Sequence, residues 1–175
     1  VVDKDVTLPE ERQTSADTLE ADTLTVLSDL NHASQKGLQT IFDCSVGRST
    51  VNHPLGGRYQ LTPTEASVQK LPVQHGVTHT ASVMAQGFNP YIAEWSPYHG
   101  AAYAVIEATA RLVAAGANWS KARFSYQEYF ERMDKQAERF GQPVAALLGS
   151  IEAQIQLGLP SIGGKDSMSG TFEEL

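Results

Sequence analysis

The sequence has 175 residues, 41% of them hydrophobic and 19% charged, the composition of an ordinary globular protein with a core of its own. Its net charge is −7 and it has no basic run, which excludes the positive surface of a nucleic-acid-binding protein. It holds no apolar run of membrane-spanning length and no secretory signal, so we expect no membrane partner. Its single cysteine, Cys44, excludes an internal disulfide and fits a reducing compartment, which points to the cytoplasm.

The start of the chain predicts a loose segment followed by a helix. Residues 1–22 are polar and acidic, with few apolar side chains to anchor them. We therefore expect a loose N-terminal segment at 1–22 and a single domain at 23–175. Leucines at three-residue intervals begin at Leu24, and this spacing predicts a helix that ends at Gly37.

The next part of the chain predicts short strands. Two are expected at 38–43 and 48–52, around a Ser-Val-Gly turn, and a third at 58–61. Residues 62–65 have the pattern of a capping box with proline at the first helical position, which predicts a short helix. From 77 to 85, small apolar residues alternate with polar ones, which predicts a strand with one buried face.

An aromatic-rich segment and a strong helix pattern come next. Residues 88–99 show no clear period, and we expect a long ordered loop there. The helix pattern runs from 100 to 116, is rich in alanine and ends at a glycine. Glu107 and Arg111 are four residues apart on this helix, so we expect them to form an ion pair on its surface.

Two more helices are predicted before the end of the chain. A second capping box at 125–128 predicts a helix with an aromatic face. Pro143 should begin a helix that ends at Gly158, with an inward face formed by Val144, Leu147, Leu148, Ile151 and Ile155. Because strands come early and helices late, we expect an α+β domain with a mixed sheet covered by helices on one face.

The stretch best suited to binding a ligand is Gly163-Gly164-Lys165-Asp166-Ser167-Met168-Ser169-Gly170. We expect it to form a loop after a buried strand. Paired glycines let backbone N–H groups approach an anion, and lysine adds a compact positive charge. Aspartate can hold a metal, and serine hydroxyls can donate to a phosphate or a substrate. It is not a Walker loop, because a glycine stands where that motif has its lysine. The same stretch also fits a polar turn without any ligand.

Several strings, in order along the chain, resemble phosphoribosylformylglycinamidine synthase. They are Ser28-Asp29-Leu30-Asn31, Phe42-Asp43-Cys44-Ser45-Val46-Gly47-Arg48, Pro54-Leu55-Gly56-Gly57-Arg58-Tyr59-Gln60-Leu61-Thr62-Pro63, Gly87-Phe88-Asn89-Pro90-Tyr91, Glu94-Trp95-Ser96-Pro97-Tyr98-His99-Gly100 and Gly164-Lys165-Asp166-Ser167-Met168-Ser169. The resemblance covers nearly the whole chain from about residue 24 onward. It concerns the N-terminal-type lobe of the second synthetase half of that enzyme.

The resemblance implies part of a purine-biosynthesis ligase. Such an enzyme converts formylglycinamide ribonucleotide, ATP and glutamine to formylglycinamidine ribonucleotide, ADP, phosphate and glutamate, with ATP and Mg²⁺ as cofactors. It implies a half-barrel sheet, as in the N-terminal domain of the aminoimidazole ribonucleotide synthetase superfamily. The partners would be the remaining synthetase and glutaminase domains. The chain is then an excised fragment, which we expect to be inactive alone and to form a homodimer through its open sheet.

The resemblance also implies roles for four residues that would meet small molecules. Gly164 and Lys165 would contact the nucleotide together with Gln127, and Ser167 would contact the substrate. No residue of this chain is expected to be catalytic, because the family's catalytic histidine belongs to the other synthetase half. The lobe would contribute a nucleotide and substrate loop rather than the reacting groups.

Two residues are the metal candidates. Glu107 matches a magnesium-binding glutamate of the family, and Asp166 would carry any metal role within the Lys165 stretch. Two further positions depart from the family, since Arg111 replaces an asparagine and His75 an aspartate, and neither suits Mg²⁺. A Glu107–Arg111 surface pair is therefore the competing interpretation. The alternative function is a structural, pseudo-symmetric module with a decayed nucleotide site.

Overall fold

The computed structural model describes residues 15–41 and 49–170. The chain divides into two compact units, whose described residues lie at 15–84 and at 85–170. The smaller unit holds helices α1 (Leu19–Ser28) and α2 (Lys36–Gln39) and strands β1 (Leu55–Gly56), β2 (Thr62–Pro63), β3 (Ala66–Lys70) and β4 (Ala81–Ala85), which reaches the boundary. The larger unit holds α3 (Pro90–Trp95), α4 (Pro97–Ala114), β5 (Phe124–Tyr129), α5 (Ala137–Leu157) and β6 (Ser161–Ser167).

The prediction of one continuous helix from Leu24 to Gly37 is wrong. Its first part is α1, which already begins at Leu19 and ends at Ser28. Asp29 then has an extended backbone, and its carboxylate accepts a hydrogen bond from the Asn31 N–H, which starts a separate 3₁₀ turn. The capping preference of this aspartate therefore overrides the leucine spacing.

The short strands of the smaller unit differ from the prediction. Residues 38 and 39 belong to α2, while 42–48 lie outside the described residues. Thr50 forms a bridge with Gln69 of β3, so a strand near 48–52 is confirmed in part. Residues 57–60 form the turn between the antiparallel strands β1 and β2, where a third strand was expected.

The helix predicted from the capping box at 62–65 is also wrong. The Thr64 hydroxyl donates to the His53 carbonyl at 2.6 Å, and the Thr64 N–H donates to the Pro54 carbonyl at 3.0 Å. These bonds hold Thr64 against a neighbouring segment, so strand β3 follows and pairs with β4. Strand β4 confirms the second half of the predicted alternation, with Val83 partly buried and Met84 70% exposed.

The core of the larger unit lies where α4 and α5 pack together over β5. Its buried residues are Val105, Ala108, Phe124, Ala153 and Leu159. The two helices approach so closely that a Cβ atom on Gly149 would overlap the carbonyl oxygen of Tyr98. The hydroxyl of Tyr98 also donates to the Glu152 carboxylate, which joins α4 to α5. The glycine thus permits the contact that brings the core residues together.

The predicted loop at 88–99 is wrong, because it contains α3 and the start of α4. Both helices begin with a capping residue followed by proline at the first helical position. The Asn89 side chain accepts from the N–H groups of Tyr91 and Ile92, and the Ser96 hydroxyl accepts from His99. The helix predicted at 100–116 is confirmed as α4, which begins three residues earlier, at Pro97.

Helix α5 confirms the predicted stop but not the predicted start or inward face. It begins at Ala137, contains Pro143 and ends at Gly158, whose φ of 67° is left-handed. Its buried residues are all small: Pro143, Ala146, Gly149, Ser150 and Ala153. The large apolar residues predicted to face inward are 40–75% exposed: Val144, Leu147, Leu148, Ile151 and Ile155. Close packing against α4 admits small side chains only, which explains the reversal.

Two elements near the candidate site also correct the sequence prediction. Residues 125–128, predicted to open a helix, belong to strand β5. The expected loop from Gly163 is largely strand β6, which runs to Ser167 parallel to β5. The described chain therefore combines helices with strands, as predicted, but its described strands form three separate two-stranded sheets where one mixed sheet was expected.

Candidate functional site

The candidate site is built on the parallel pair of strands β5 and β6. A bulge at Ile162 shifts the register at the start of the pair, and from Gly163 onward the residues pair one to one. The pairs that matter are Tyr126 with Gly164, Gln127 with Lys165, Glu128 with Asp166 and Tyr129 with Ser167. The pairing thus brings together five of the six residues expected to bind ligands.

The pair has two different faces, because successive residues of a strand point to opposite sides. Gln127, Tyr129, Lys165 and Ser167 lie on one side, which we call the open face; only Ser167 of these is partly buried. Tyr126 and Glu128 lie on the other side and are partly buried, with Tyr126 packed against the core. The predicted nucleotide and substrate residues Gln127, Lys165 and Ser167 therefore share the open face. Asp166 lies on the opposite side, beside Glu128.

Hydrogen bonds order the carboxyl end of the two strands. The side-chain nitrogen of Gln127 donates to the hydroxyl of Tyr129, and the hydroxyls of Ser167 and Ser169 lie 3.1 Å apart. Beyond the strands, the Phe130 N–H donates to the Ser167 carbonyl at 2.8 Å. The Gly170 N–H in turn donates to the Phe130 carbonyl at 3.0 Å, which holds the segment after β6 against the residue that follows β5. The carboxyl end of parallel strands is where open α/β sheets bind their ligands.

Gly164 is required by the packing of the two strands. A Cβ atom at this position would overlap the carbonyl oxygen of Tyr126 and lie 3.0 Å from its backbone nitrogen. A glycine is needed here whether or not a ligand is bound. Its contact with a nucleotide stays a prediction.

The partly buried face of the pair carries one carboxylate oxygen and one phenolic hydroxyl that find no hydrogen-bond partner in the described part of the chain. Among the described residues, neither the Tyr126 hydroxyl nor the Oε2 atom of Glu128 has such a partner. Burial raises the pKa of Glu128, and the nearby charge of Asp166 raises it further. Burial, followed by the charge of Glu128, raises the pKa of Tyr126 to about 12. The ionised forms of both groups are disfavoured in the fold.

Replacing Glu128 by glutamine is expected to stabilise the protein near neutral pH and to make little difference in acid. The raised pKa means that the folded protein binds this proton more tightly than the unfolded chain. Above that pKa, the partly buried carboxylate is ionised and lowers the free energy of unfolding. As the pH falls through the raised pKa toward the ordinary value, this cost disappears.

Urea unfolding of wild type and Glu128→Gln across the acid and neutral range tests this expectation. The exposed Glu138 at the start of α5 provides the control. Glu138→Gln should not raise the free energy of unfolding near neutral pH. A loss of stability in Glu128→Gln at neutral pH would contradict the prediction.

The predicted ion pair between Glu107 and Arg111 is confirmed. Arg111 Nη2 lies 2.8 Å from Glu107 Oε1, and both side chains are about two-thirds buried. The other oxygen of Glu107 accepts from the Phe88 N–H at 2.8 Å, while Arg111 Nη1 donates to the Gln86 carbonyl at 2.9 Å. The pair therefore ties the segment before α3 to α4.

The metal roles of Glu107 and Asp166 stay predictions. Both carboxylate oxygens of Glu107 are already used by protein groups. Across residues 15–41 and 49–170, no cluster of three or more His, Cys, Asp or Glu side chains is arranged to hold a metal ion. Lone carboxylates such as these would need further oxygen ligands to hold Mg²⁺.

A double-mutant cycle on Glu107 and Arg111 should give a coupling free energy of about 0.3–0.5 kcal/mol, because the pair is partly exposed. The variants are Glu107→Gln, Arg111→Met and the double substitution, measured by urea unfolding. The coupling should decrease at 1 M salt, where screening extends over only about 3 Å. A coupling that is zero at low salt would contradict the prediction.

Sequence reasoning missed Tyr126 and Tyr129 as residues of the site. The signal that could have found them is the alternation along 124–129. Phe124, Tyr126 and Glu128 are at least partly buried, whereas the residues between them are exposed. A period of two predicts a strand, and it competes with the capping-box pattern of the same segment.

Comparisons with known proteins bear on the fold. Neither a protein-family model nor a curated protein matches the chain. A solved structure of PurLQS from Thermotoga maritima does, with a TM-score of 0.63, 81% of this chain covered and 18% sequence identity. The likeness shows the fold. At the level of the fold, it confirms the synthase-like architecture that the sequence resemblance implies. The chain spans 21% of the length of the matched chain.

None of the helices in the described part of the chain has the length and apolar character needed to cross a membrane.

Proposed function

We propose that this chain is a lobe of an ATP-dependent ligase that makes formylglycinamidine ribonucleotide from formylglycinamide ribonucleotide with glutamine as nitrogen donor. The observation that supports this most is the strand pairing that sets Gln127 opposite Lys165, next to Ser167, on the open face. The fold shared with PurLQS agrees with it. As in that family, the other synthetase and glutaminase domains would be the partners and the cytoplasm the compartment.

The open face supplies groups that suit a phosphorylated ligand. Lys165 has no ion-pair partner among the described residues, so its ammonium group is free to meet an anion. The Ser167 hydroxyl can donate to a phosphate or ribose oxygen. In the proposed reaction ATP phosphorylates the amide oxygen of the substrate, and ammonia then displaces the phosphate. Negative charge that builds up during such a transfer is stabilised by fixed cations and hydrogen-bond donors.

The test of this function uses the complete ligase. Lys165→Ala and Ser167→Ala should each lower kcat/KM by about 100-fold, the usual cost of removing one donor to developing charge. Lys135→Ala is the matched control, because Lys135 is an exposed lysine outside the open face and should leave kcat/KM unchanged. Wild-type kcat/KM in both site variants would contradict the proposal.

A second candidate, a structural module whose nucleotide site has decayed, is favoured by one observation. Glu107, which the resemblance makes a magnesium ligand, is engaged by Arg111 and by the Phe88 N–H. Under this alternative, Lys165→Ala and Ser167→Ala would change only the free energy of unfolding. The kinetic test above separates the two.

The 175-residue chain alone should bind ATP-Mg²⁺ only weakly, with a dissociation constant of about 1 mM or above. The reason is that the open face offers one side of a site, and a neighbouring lobe would provide the other. Isothermal calorimetry checks this. Magnesium-dependent binding in the micromolar range would contradict it.

We further propose that β3 and β4 contribute to a half-barrel sheet and that the chain alone forms a homodimer through it. The support is the exposure of apolar residues on and before β4: Met84 is 70% and Val77 78% exposed. Apolar side chains on an open sheet favour contact with a second copy. Sedimentation at micromolar concentration should detect a dimer, and a monomer would contradict the proposal.

A further inference from the structure

Helix α5 carries apolar residues on two opposite faces. Its small residues are buried where it packs against α4, and a row of larger residues lies on the other side of the helix. With about 3.6 residues per turn, these larger residues form one continuous row about 22 Å long. We call this row the apolar stripe. Its members, each 40–75% exposed, are Phe140, Val144, Leu147, Leu148, Ile151 and Ile155.

The apolar stripe calls for a partner that is itself apolar. A helix that is apolar on opposite faces is normally covered on both of them, and a continuous exposed apolar patch marks an interaction site. The charged residues of α5 all lie outside the stripe: Glu138, Arg139 and Glu152. A charged partner would therefore find no counterpart on it.

The spacing of the stripe fits a second copy of the same helix. Leu147 and Leu148 lie on either side of its middle. Val144 and Ile151 are equally far from this middle, and so are the first and the last residue of the stripe. In an antiparallel pair of identical helices, a two-fold axis through the middle therefore sets each member of the stripe against another member. Val144 would meet the partner's Ile151, and Leu147 would meet the partner's Leu148.

The direction and the size of the contact both suit such a pair. Antiparallel helices place the positive end of one dipole beside the negative end of the other, whereas parallel helices place like ends together. Because the side chains are about half exposed, two stripes would bury on the order of 1,000 Å² in total, the lower limit for a specific interface. We therefore expect weak association, with a dissociation constant of about 10 μM.

We propose that α5 pairs with α5 of a second copy of this chain, antiparallel and through the apolar stripe. This interaction surface goes beyond the ligase function proposed above and does not depend on it. It is also separate from the contact proposed for β3 and β4, which lies on other elements of the chain.

Two charged substitutions that fit each other only in this arrangement test the proposal. Val144→Glu and Ile151→Lys should each raise the dissociation constant at least about tenfold, because each sets an unpaired charge against an apolar side chain. In an equimolar mixture of the two variants, the new carboxylate of one chain would meet the new ammonium group of the other. The second Val144–Ile151 contact of that pair stays apolar, so mixing should restore the association.

Sedimentation equilibrium measures the average mass of each variant alone and of the mixture, at concentrations on either side of the expected dissociation constant. Association through β3 and β4 would contribute equally to all of these samples, so the increase on mixing reports the contact of α5. Gln142→Glu and Gln156→Lys are the matched controls, since both glutamines are exposed residues of α5 outside the stripe. Each control should associate as wild type does, and circular dichroism verifies that all variants keep the helix content of wild type.

The outcomes decide between this pair and other occupants of the stripe. A mass that falls in Val144→Glu and in Ile151→Lys and rises again when the two are mixed supports the proposal. Restoration by a mixture of Val144→Glu with Val144→Lys instead would show a parallel pair and overturn it. Loss of association without restoration on mixing would also overturn the pairing. If both single variants keep the mass of wild type, two copies do not meet at the stripe, and the proposal fails in favour of a different apolar partner.

Discussion

Gly149→Ala is expected to destabilise the unit at 85–170 by about 3 kcal/mol, the upper part of the usual range for overpacking. The added methyl would overlap the Tyr98 carbonyl oxygen and lie 2.8 Å from its carbonyl carbon. These are backbone atoms of α4, so no side-chain rotation can make room. Helix α5 would have to move away from α4 and open the core around Val105, which is 1% exposed.

Tryptophan fluorescence is the suitable measurement for this variant. The two tryptophans of the chain, Trp95 and Trp119, both lie in the unit at 85–170. The transition that they report in urea therefore belongs to the affected unit. The expected result is a lower midpoint with little change in the slope, which is the sign of lost stability rather than of a changed unfolded state.

Gly141→Ala is the matched control on the same helix. A Cβ atom on Gly141 would meet no atom within 4 Å. Alanine has a higher helix propensity than glycine, so this variant should be unchanged or up to about 1 kcal/mol more stable. Equal effects of the two substitutions would show that helix propensity, rather than the contact with Tyr98, decides the outcome.

The helices that the sequence predicted well are those whose signals are local. Helix α4 follows from its alanine-rich pattern, and the end of α5 follows from Gly158. The start of α3 also had a local signal, an asparagine cap before proline, and the aromatic composition of that segment obscured it. Such features depend on neighbouring residues alone, which a sequence displays in full.

The elements that the sequence predicted wrongly depend on distant contacts. The capping box at 125–128 is a genuine local preference for a helix, but pairing with β6 makes the same residues a strand. The burial of α5 was reversed for a similar reason. The close approach of Tyr98 to Gly149 selects the small face of α5, while the aliphatic face stays exposed. Pattern analysis assumes that the larger apolar side chains are buried, and here the distance between the helices decides otherwise.

The candidate site was predictable as a set of residues but not as an arrangement. The resemblance to the synthase named Gln127, Lys165, Asp166 and Ser167, and the strand pairing brings all four together. Which β6 residues share a face with Gln127 depends on the bulge at Ile162, which shifts the register by one residue. A shift of one residue exchanges the two faces of a strand. Sequence spacing alone therefore could not tell whether Gln127 shares a face with Lys165 and Ser167 or with Asp166.

Gly164→Ala should have the second large effect, a loss of about 2 kcal/mol from the same unit. The added methyl would overlap the Tyr126 carbonyl oxygen, a backbone atom of the neighbouring strand. Strands β5 and β6 would have to separate at the middle of their pairing. Fluorescence-monitored urea unfolding measures the loss, and Ile162→Ala on the same strand is the control. Ile162 is 76% exposed, so its truncation should change stability by no more than about 0.5 kcal/mol.

The same substitution separates the two reasons for which a glycine can stand at this position. If Gly164 serves only to let the strands approach, Gly164→Ala should lower the free energy of unfolding. It should also move Lys165 and Ser167 together, relative to Gln127. NMR resonances of these three residues should then all shift, under conditions where the variant is still folded. If the glycine instead serves only a ligand, stability and resonances should stay as in wild type while ATP binding falls. The overlap with Tyr126 favours the first result, because the strand pairing needs this glycine before any nucleotide arrives.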